Sequence, residues 1–156
     1  MDLSEIQLLK KIREIVALSQ KKALVGVGDD CAVLPGRKGY NYLFTTDSMV
    51  ENVHFDLKFT SLYQVGWKVV AANASDIAAM GGVPLFAVVS LGLPERFVFS
   101  EVEELYRGMM DLSLKLGLEI NGGDVVVSSV FFITLSVIGE VEEGRAILRS
   151  GAKPGD

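Results

Sequence analysis

The run of apolar and polar positions along the chain predicts alternating helices and strands. Ile6, Leu9, Ile12 and Val16 recur at helical spacing, and Ser4 with Gln7 three residues on fits a capping box, so a first helix is predicted near residues 4–18. Residues 23–27 read as a short strand ending in Gly28-Asp29-Asp30, and residues 40–46 as another with Asp47 at its end. Residues 61–80 read as helical, with Ala71, Ala72, Ala74, Ala78 and Ala79 giving a small face that another backbone can approach; Gly81-Gly82-Val83-Pro84 stops it. Residues 86–93, between Pro84 and Pro94, are continuously apolar, as in a strand buried on both faces. Ser100 with Glu103 forms a second capping box, and Val102, Leu105, Met109, Leu112 and Leu116 make the stripe of an amphipathic helix ending at Gly117. Residues 130–141 are rich in β-branched and aromatic side chains and predict the last strand. This order predicts an α+β fold, a mainly antiparallel or mixed sheet with helices covering one face.

Composition adds limits. The 156 residues suffice for one domain or for half of a two-domain protein, and 49% apolar with 22% charged residues excludes disorder. A net charge of -5, with the two signs interleaved, argues against a nucleic-acid binder. No apolar run approaches the roughly 20 residues of a membrane-spanning helix, and the opening lacks the order of a signal peptide, so a soluble cytoplasmic protein is expected. Cys31 is the only cysteine, which leaves no disulfide within the chain. It is expected to be a small core residue, its thiol pKa raised by the adjacent aspartates. Trp67 is expected in the core. Arg149 to Asp156 read as a turn into a further element, so the chain is expected to be the N-terminal part of a larger protein, with residues 149–156 beginning a second domain.

Acidic and hydroxyl residues cluster where elements are predicted to end: Gly28-Asp29-Asp30, Thr45-Thr46-Asp47, Ser75-Asp76 and Gly122-Gly123-Asp124, with Asp156 in the tail. One such aspartate is an ordinary turn residue. Several together supply the oxygen ligands that hard divalent cations take, and separate carboxylates suit Mg²⁺ with substrate phosphates better than a Ca²⁺ loop. Gly26-x-Gly28 and Gly122-Gly123 could let backbone N–H groups approach a phosphate, although neither a Walker A sequence nor a complete GxGxxG is present. His54, the only histidine, has a second reading as a ring packed beside Phe55. Asn73-Ala74-Ser75 matches a glycosylation sequon without significance in a cytoplasmic helix.

Gly26-Val27-Gly28-Asp29-Asp30-Cys31-Ala32-Val33-Leu34, Thr45-Thr46-Asp47-Ser48-Met49-Val50-Glu51 and Val53-His54-Phe55 together resemble the N-terminal signature of the thiamine-monophosphate kinase family. Asn73-Ala74-Ser75-Asp76-Ile77-Ala78-Ala79-Met80-Gly81, Gly122-Gly123-Asp124 and the segment from Gly144 to Asp156 continue it in order. The resemblance implies an ATP-dependent kinase that phosphorylates thiamine monophosphate to thiamine diphosphate by direct in-line transfer assisted by Mg²⁺. It also implies an aminoimidazole ribonucleotide synthetase-like domain whose sheet pairs with that of a second subunit to close a β-barrel. By carry-over, Asp30, Thr45, Thr46, Asp47, Asp76 and Asp124 would bind several Mg²⁺ ions, His54 the thiamine substrate, and Tyr106, Gly123, Asp124 and Arg149 ATP. K⁺ is a further candidate ion. The acceptor phosphate, with a second pKa of about 6, is already ionised near neutrality, so no general base is required. The chain departs from the family in carrying Val125-Val126-Val127 where Thr-Thr-Arg is usual, removing any hydroxyl or guanidinium contact there. The alternatives are another ATP-dependent synthetase of the same superfamily and a dimerisation module without activity of its own.

Overall fold

The structure is a computed structural model and describes residues 5–16, 22–153 and 155. In chain order its elements are α1 (Glu5–Val16), β1 (Ala32–Pro35), β2 (Tyr40–Val50), α2 (Leu62–Ala79), β3 (Val83–Leu93), α3 (Phe99–Leu116), β4 (Glu119–Val127) and β5 (Phe132–Glu142). The strands form one sheet in the order β1-β2-β5-β3-β4. All neighbours are antiparallel except β3 and β4, which α3 joins as a parallel crossover. The α+β reading with a mixed sheet therefore holds.

One face of the sheet makes the core. Leu43, Met49, Ala87, Val89, Leu91, Ile133, Leu135 and Val137 alternate along their strands and are buried against Val65, Val69 and Ile77 of α2. Leu105 and Met109 of α3 close over α2 from outside. The two helices cross very closely: a Cβ on Gly66 would lie 2.0 Å from the Leu105 carbonyl oxygen, and one on Gly108 would lie 1.9 Å from that of Tyr63. The close approach expected of the alanine face thus belongs to this glycine pair, while Ala78 and Ala79 are exposed. Ser61 caps α2 through a complete capping box with Gln64, and Gly117 ends α3 in the left-handed conformation (φ 68°).

Several expectations are corrected. Residues 23–27 form no regular strand; Leu24 and Val25 donate to the Val33 carbonyl as an isolated bridge beside β1, which the sequence pattern did not reveal. The 86–93 segment, within β3, is buried on one face only, with Phe86 and Val88 half exposed on the other. At the start of α3 the box is not Ser100–Glu103; Glu101 accepts from the Val98 N–H at 2.9 Å, and Val98 has no acceptor to return. Trp67 is half-buried at the helix surface, tilted against Tyr63 with Lys115 over its ring. Ser4 and Asp156 lie outside the described residues.

The opposite sheet face is open. Phe44, Phe86, Val88 and Ile138 are exposed there, around hydroxyl pairs Thr46–Ser136 (2.9 Å) and Ser48–Thr134 (2.7 Å). Among the described residues no helix is long and apolar enough to cross a membrane.

Candidate functional site

At the β1–β2 edge of the sheet lies a cleft of about 940 Å³. Its walls are the turn before β1 (Gly26, Gly28, Asp29, Asp30), the middle of β2 (Thr45, Thr46, Asp47), Asp76 of α2, Arg149, and Ile6, Leu9, Lys10 and Arg13 of α1. Asp47 is not at an element end as expected, since β2 runs on to Val50, whereas Asp76 does sit in the last turn of α2. Thr45 and Asp47 occupy the inward-facing positions of β2 between Leu43 and Met49, so the strand swaps apolar for polar side chains where it passes the cleft.

The local geometry follows from one interruption. β1 pairs with β2 only as far as Phe44, leaving the outer edge of β2 beyond it without a strand neighbour. Asn73, fully buried on α2, substitutes for that neighbour: its Oδ1 accepts the Asp47 N–H at 3.1 Å, and its Nδ2 donates to the Val69 carbonyl at 2.9 Å. Thr45 Oγ1 donates to Asp76 Oδ2 at 2.7 Å. These two bonds lock α2 to β2 and set Asp47 beside Asp76. Burial, then the charge of Asp76, pushes the Asp47 carboxyl above its ordinary range, with His54 opposing. The Cys31 thiol, buried beneath, is pushed up to about 12 by burial first and then by Asp76, Asp30 and Asp29. It is the inert core residue expected.

Arg149 crosses the mouth. Its backbone N–H donates to both Asp29 carboxylate oxygens (3.1 and 3.2 Å), and its Nε (2.9 Å) and Nη2 donate to Asp30 Oδ1.

The structure gathers Asp30, Thr45, Asp47, Asp76 and Arg149 on this cleft; Thr46 lines it too, but its hydroxyl is bonded to Ser136 on the open sheet face, and the other expected site residues lie elsewhere. Gly122-Gly123-Asp124 is not a loop but the middle of β4, where Asp124 is exposed in register with Ser90 on the open sheet face. The strand needs glycine there, since a Cβ on Gly123 would meet the Val89 carbonyl oxygen at 1.9 Å. Tyr106, half-buried on α3, lines a separate hollow with Phe99, Val102, Arg107 and Met110. His54 is exposed in the turn after β2, its Nδ1 accepting the Val50 N–H at 3.0 Å; the packed-ring alternative does not hold. Sequence reasoning passed over Asn73. Helical spacing puts it in the Val65–Val69–Ile77 stripe, and an amide in an apolar stripe was the available signal.

The donors suit a hard cation in kind, being carboxylates and threonine hydroxyls, with the Asp47 and Asp76 carboxyls close enough for one to raise the other. Among the described residues, no three acidic, histidine or cysteine side chains converge as one ready-made metal site.

Residues 28–141 match the family described as AIR synthase related protein, N-terminal domain. A thiamine-monophosphate kinase of Bacillus subtilis is 44% identical over 133 residues, 85% of this chain and 41% of that protein. One from Haemophilus influenzae is 33% identical over 100% of this chain and 47% of its own. The chain therefore spans under half the length of the curated relatives it matches here. A solved structure described as "AaThiL complexed with AMPPCP and TMP" superposes with a TM-score of 0.86 at 34% identity, covering 97% of this chain and 46% of that one. A HypE–HypF complex superposes at 0.69 with 28% identity over 92% of this chain and 46% of that one.

Proposed function

This chain belongs to the AIR synthase related family through its N-terminal domain, and from that premise we propose that the whole protein transfers the γ-phosphoryl group of ATP directly to thiamine monophosphate, giving thiamine diphosphate. The observation that carries the reading is the cleft itself, where a turn, a strand and a helix bring Asp30, Thr45, Thr46, Asp47 and Asp76 together under Arg149. The thiamine-monophosphate kinases among its relatives, and the solved neighbour holding an ATP analogue with TMP, support the choice of substrates.

The cleft residues would hold Mg²⁺, Asp124 is assigned to Mg²⁺ from its place outside the cleft on the open sheet face, and K⁺ is a further candidate. Bound Mg²⁺ would offset the charge of two polyanionic reactants and align them. In the chain's own residues, the Thr45–Asp76 and Asn73–Asp47 bonds fix the carboxylates before any ligand arrives, which is positioning in advance of the reaction. Arg149, now on Asp30, would turn to the ATP phosphates. Tyr106, Gly123 and Asp124 are assigned to ATP and His54 to the thiamine substrate. The acceptor phosphate needs no base.

We assign residues 1–148 to the metal- and ATP-binding domain and 149–156 to the start of another, in a cytoplasmic homodimer. The open sheet face, with Phe44, Phe86, Val88 and Ile138, supports pairing with a second copy. Another ATP-dependent synthetase of the superfamily is the second reading, supported by the fold shared with the HypE–HypF complex.

The test is thiamine diphosphate formation by the full chain and by Asp30→Asn, Asp47→Asn, Asp76→Asn and Asp124→Asn. Each is expected to lose turnover by about a hundredfold or more while staying folded. Near-normal turnover in two or more at saturating Mg²⁺ would defeat the site assignment.

A further inference from the structure

The cleft has a wall that the kinase assignment leaves unused. Ile6, Leu9, Lys10 and Arg13 follow the i, i+3, i+4, i+7 spacing of one face of α1, and all four line the cleft. The Arg13 guanidinium lies against the backbone of Gly28: a Cβ built there would sit 3.1 Å from Nη1 and 3.6 Å from Cζ. Gly28 also has φ 127°, so both conformation and space reserve this position for glycine. Arg13 thus stands at the head of the Gly28-Asp29-Asp30 turn. Among the described residues the ion pairs are Arg37–Glu140, Arg96–Glu51 and Arg149–Asp30. Arg13 and Lys10 share a cleft with Asp29, Asp30, Asp47 and Asp76, yet neither pairs with them.

A cation placed only to neutralise that acidic turn would bond to it, as Arg149 does. We infer that Lys10 and Arg13 form a direct phosphate-binding wall, contacting oxyanion oxygens beside the Gly28-Asp29-Asp30 turn. Arginine offers planar donors to two phosphate oxygens, and Lys10 one turn away adds a point charge. The wall would hold phosphate oxygens directly, while the carboxylates of the same cleft hold cations. The inference rests on the reading that this cleft handles phosphates. The oxyanion belongs to the nucleotide's phosphate chain or to the phosphorylated acceptor, and kinetics separate the two.

The experiment measures tripolyphosphate binding to the full chain by calorimetry at fixed Mg²⁺, for Arg13→Gln, Arg13→Lys, Lys10→Gln and a control, Lys11→Gln. Lys11 carries the same charge on α1 but does not line the cleft. The expectation is about tenfold weaker binding for Arg13→Gln, a smaller loss for Arg13→Lys and Lys10→Gln, and less than about twofold for Lys11→Gln. Thermal midpoints report whether each variant is folded; should Arg13→Gln not fold, Arg13→Lys and Lys10→Gln against Lys11→Gln decide. Equal losses at cleft and control positions, or no binding to the unmodified protein, would overturn the inference. In steady state, a rise in KM for ATP alone assigns the wall to the nucleotide, and a rise for thiamine monophosphate alone assigns it to the acceptor. Weaker tripolyphosphate binding in a protein that does not phosphorylate thiamine monophosphate would keep the wall and sink the kinase reading. Phosphorylation with unaltered binding would do the reverse.

Discussion

Replacing Asn73 tests whether α2 and β2 are joined as the geometry says. In Asn73→Ala the Asp47 N–H loses its acceptor in a buried setting, which costs about 1–3 kcal/mol. The lost amide also leaves a small void, while alanine returns roughly 0.5 kcal/mol of helix propensity. The Val69 carbonyl keeps its helical partner, so that loss is minor. The net expectation is about 1.5–3 kcal/mol of destabilisation. Asn73→Asp keeps an acceptor for the Asp47 N–H but adds a buried charge beside Asp47 and Asp76. The new carboxyl's pKa should be raised in the folded state, so its stability deficit should deepen as pH rises through that value and shrink in acid. Urea unfolding at pH 5 and pH 7.5 measures both, with the slope checked for constancy. Because the bond also sets Asp47 beside Asp76, thiamine diphosphate formation should fall in both variants even where they are fully folded. An Asn73→Ala protein within about 0.5 kcal/mol of the original, or an Asn73→Asp protein with no added pH dependence, would refute the reasoning.

Asp47→Asn should trade stability against activity. The folded state holds the Asp47 proton more tightly than the unfolded chain, so this group's contribution is greatest below its ordinary value of 3.8 and is lost as pH rises through the folded value. Without divalent cations the Asn variant should therefore show a flatter pH profile and a thermal midpoint at neutral pH no lower than the original, with less of the rise that Mg²⁺ gives; a sharply lower midpoint would contradict this. Cys31, with its thiol at about 12, should resist a disulfide reagent at pH 8 in the folded protein and react fully in denaturant; fast native reaction would contradict its burial. Gly66→Ala forces a Cβ to within 2.0 Å of the Leu105 oxygen and should destabilise by about 1–3 kcal/mol in urea unfolding despite the helix propensity gained; a neutral result would mean the helices separate freely.

The elements legible in the sequence were those with a local signature. α2 and α3 carry helical stripes and stops, and β5 keeps its alternation for eleven residues. β4 was missed because Gly122-Gly123-Asp124 has turn composition. Its extended form is imposed by parallel pairing with β3 across α3, a non-local cause. β2 was read short because Thr45 and Asp47 break the apolar alternation at inward positions, where the strand passes the cleft. The residue types of the site were readable, but their grouping was not. Asp30, Asp47 and Asp76 come to line one cleft through the fold, whereas Asp124 lies beyond β5 and β3 in the sheet, on its other face.

The most direct measurement is a phosphorus NMR time course of the full chain with ATP, Mg²⁺ and thiamine monophosphate. The account predicts that the two phosphorus signals of thiamine diphosphate grow in step with those of ADP, with the thiamine monophosphate signal falling equally and no free phosphate formed. ATP turnover that leaves thiamine monophosphate untouched, or that requires a different acceptor, would contradict it.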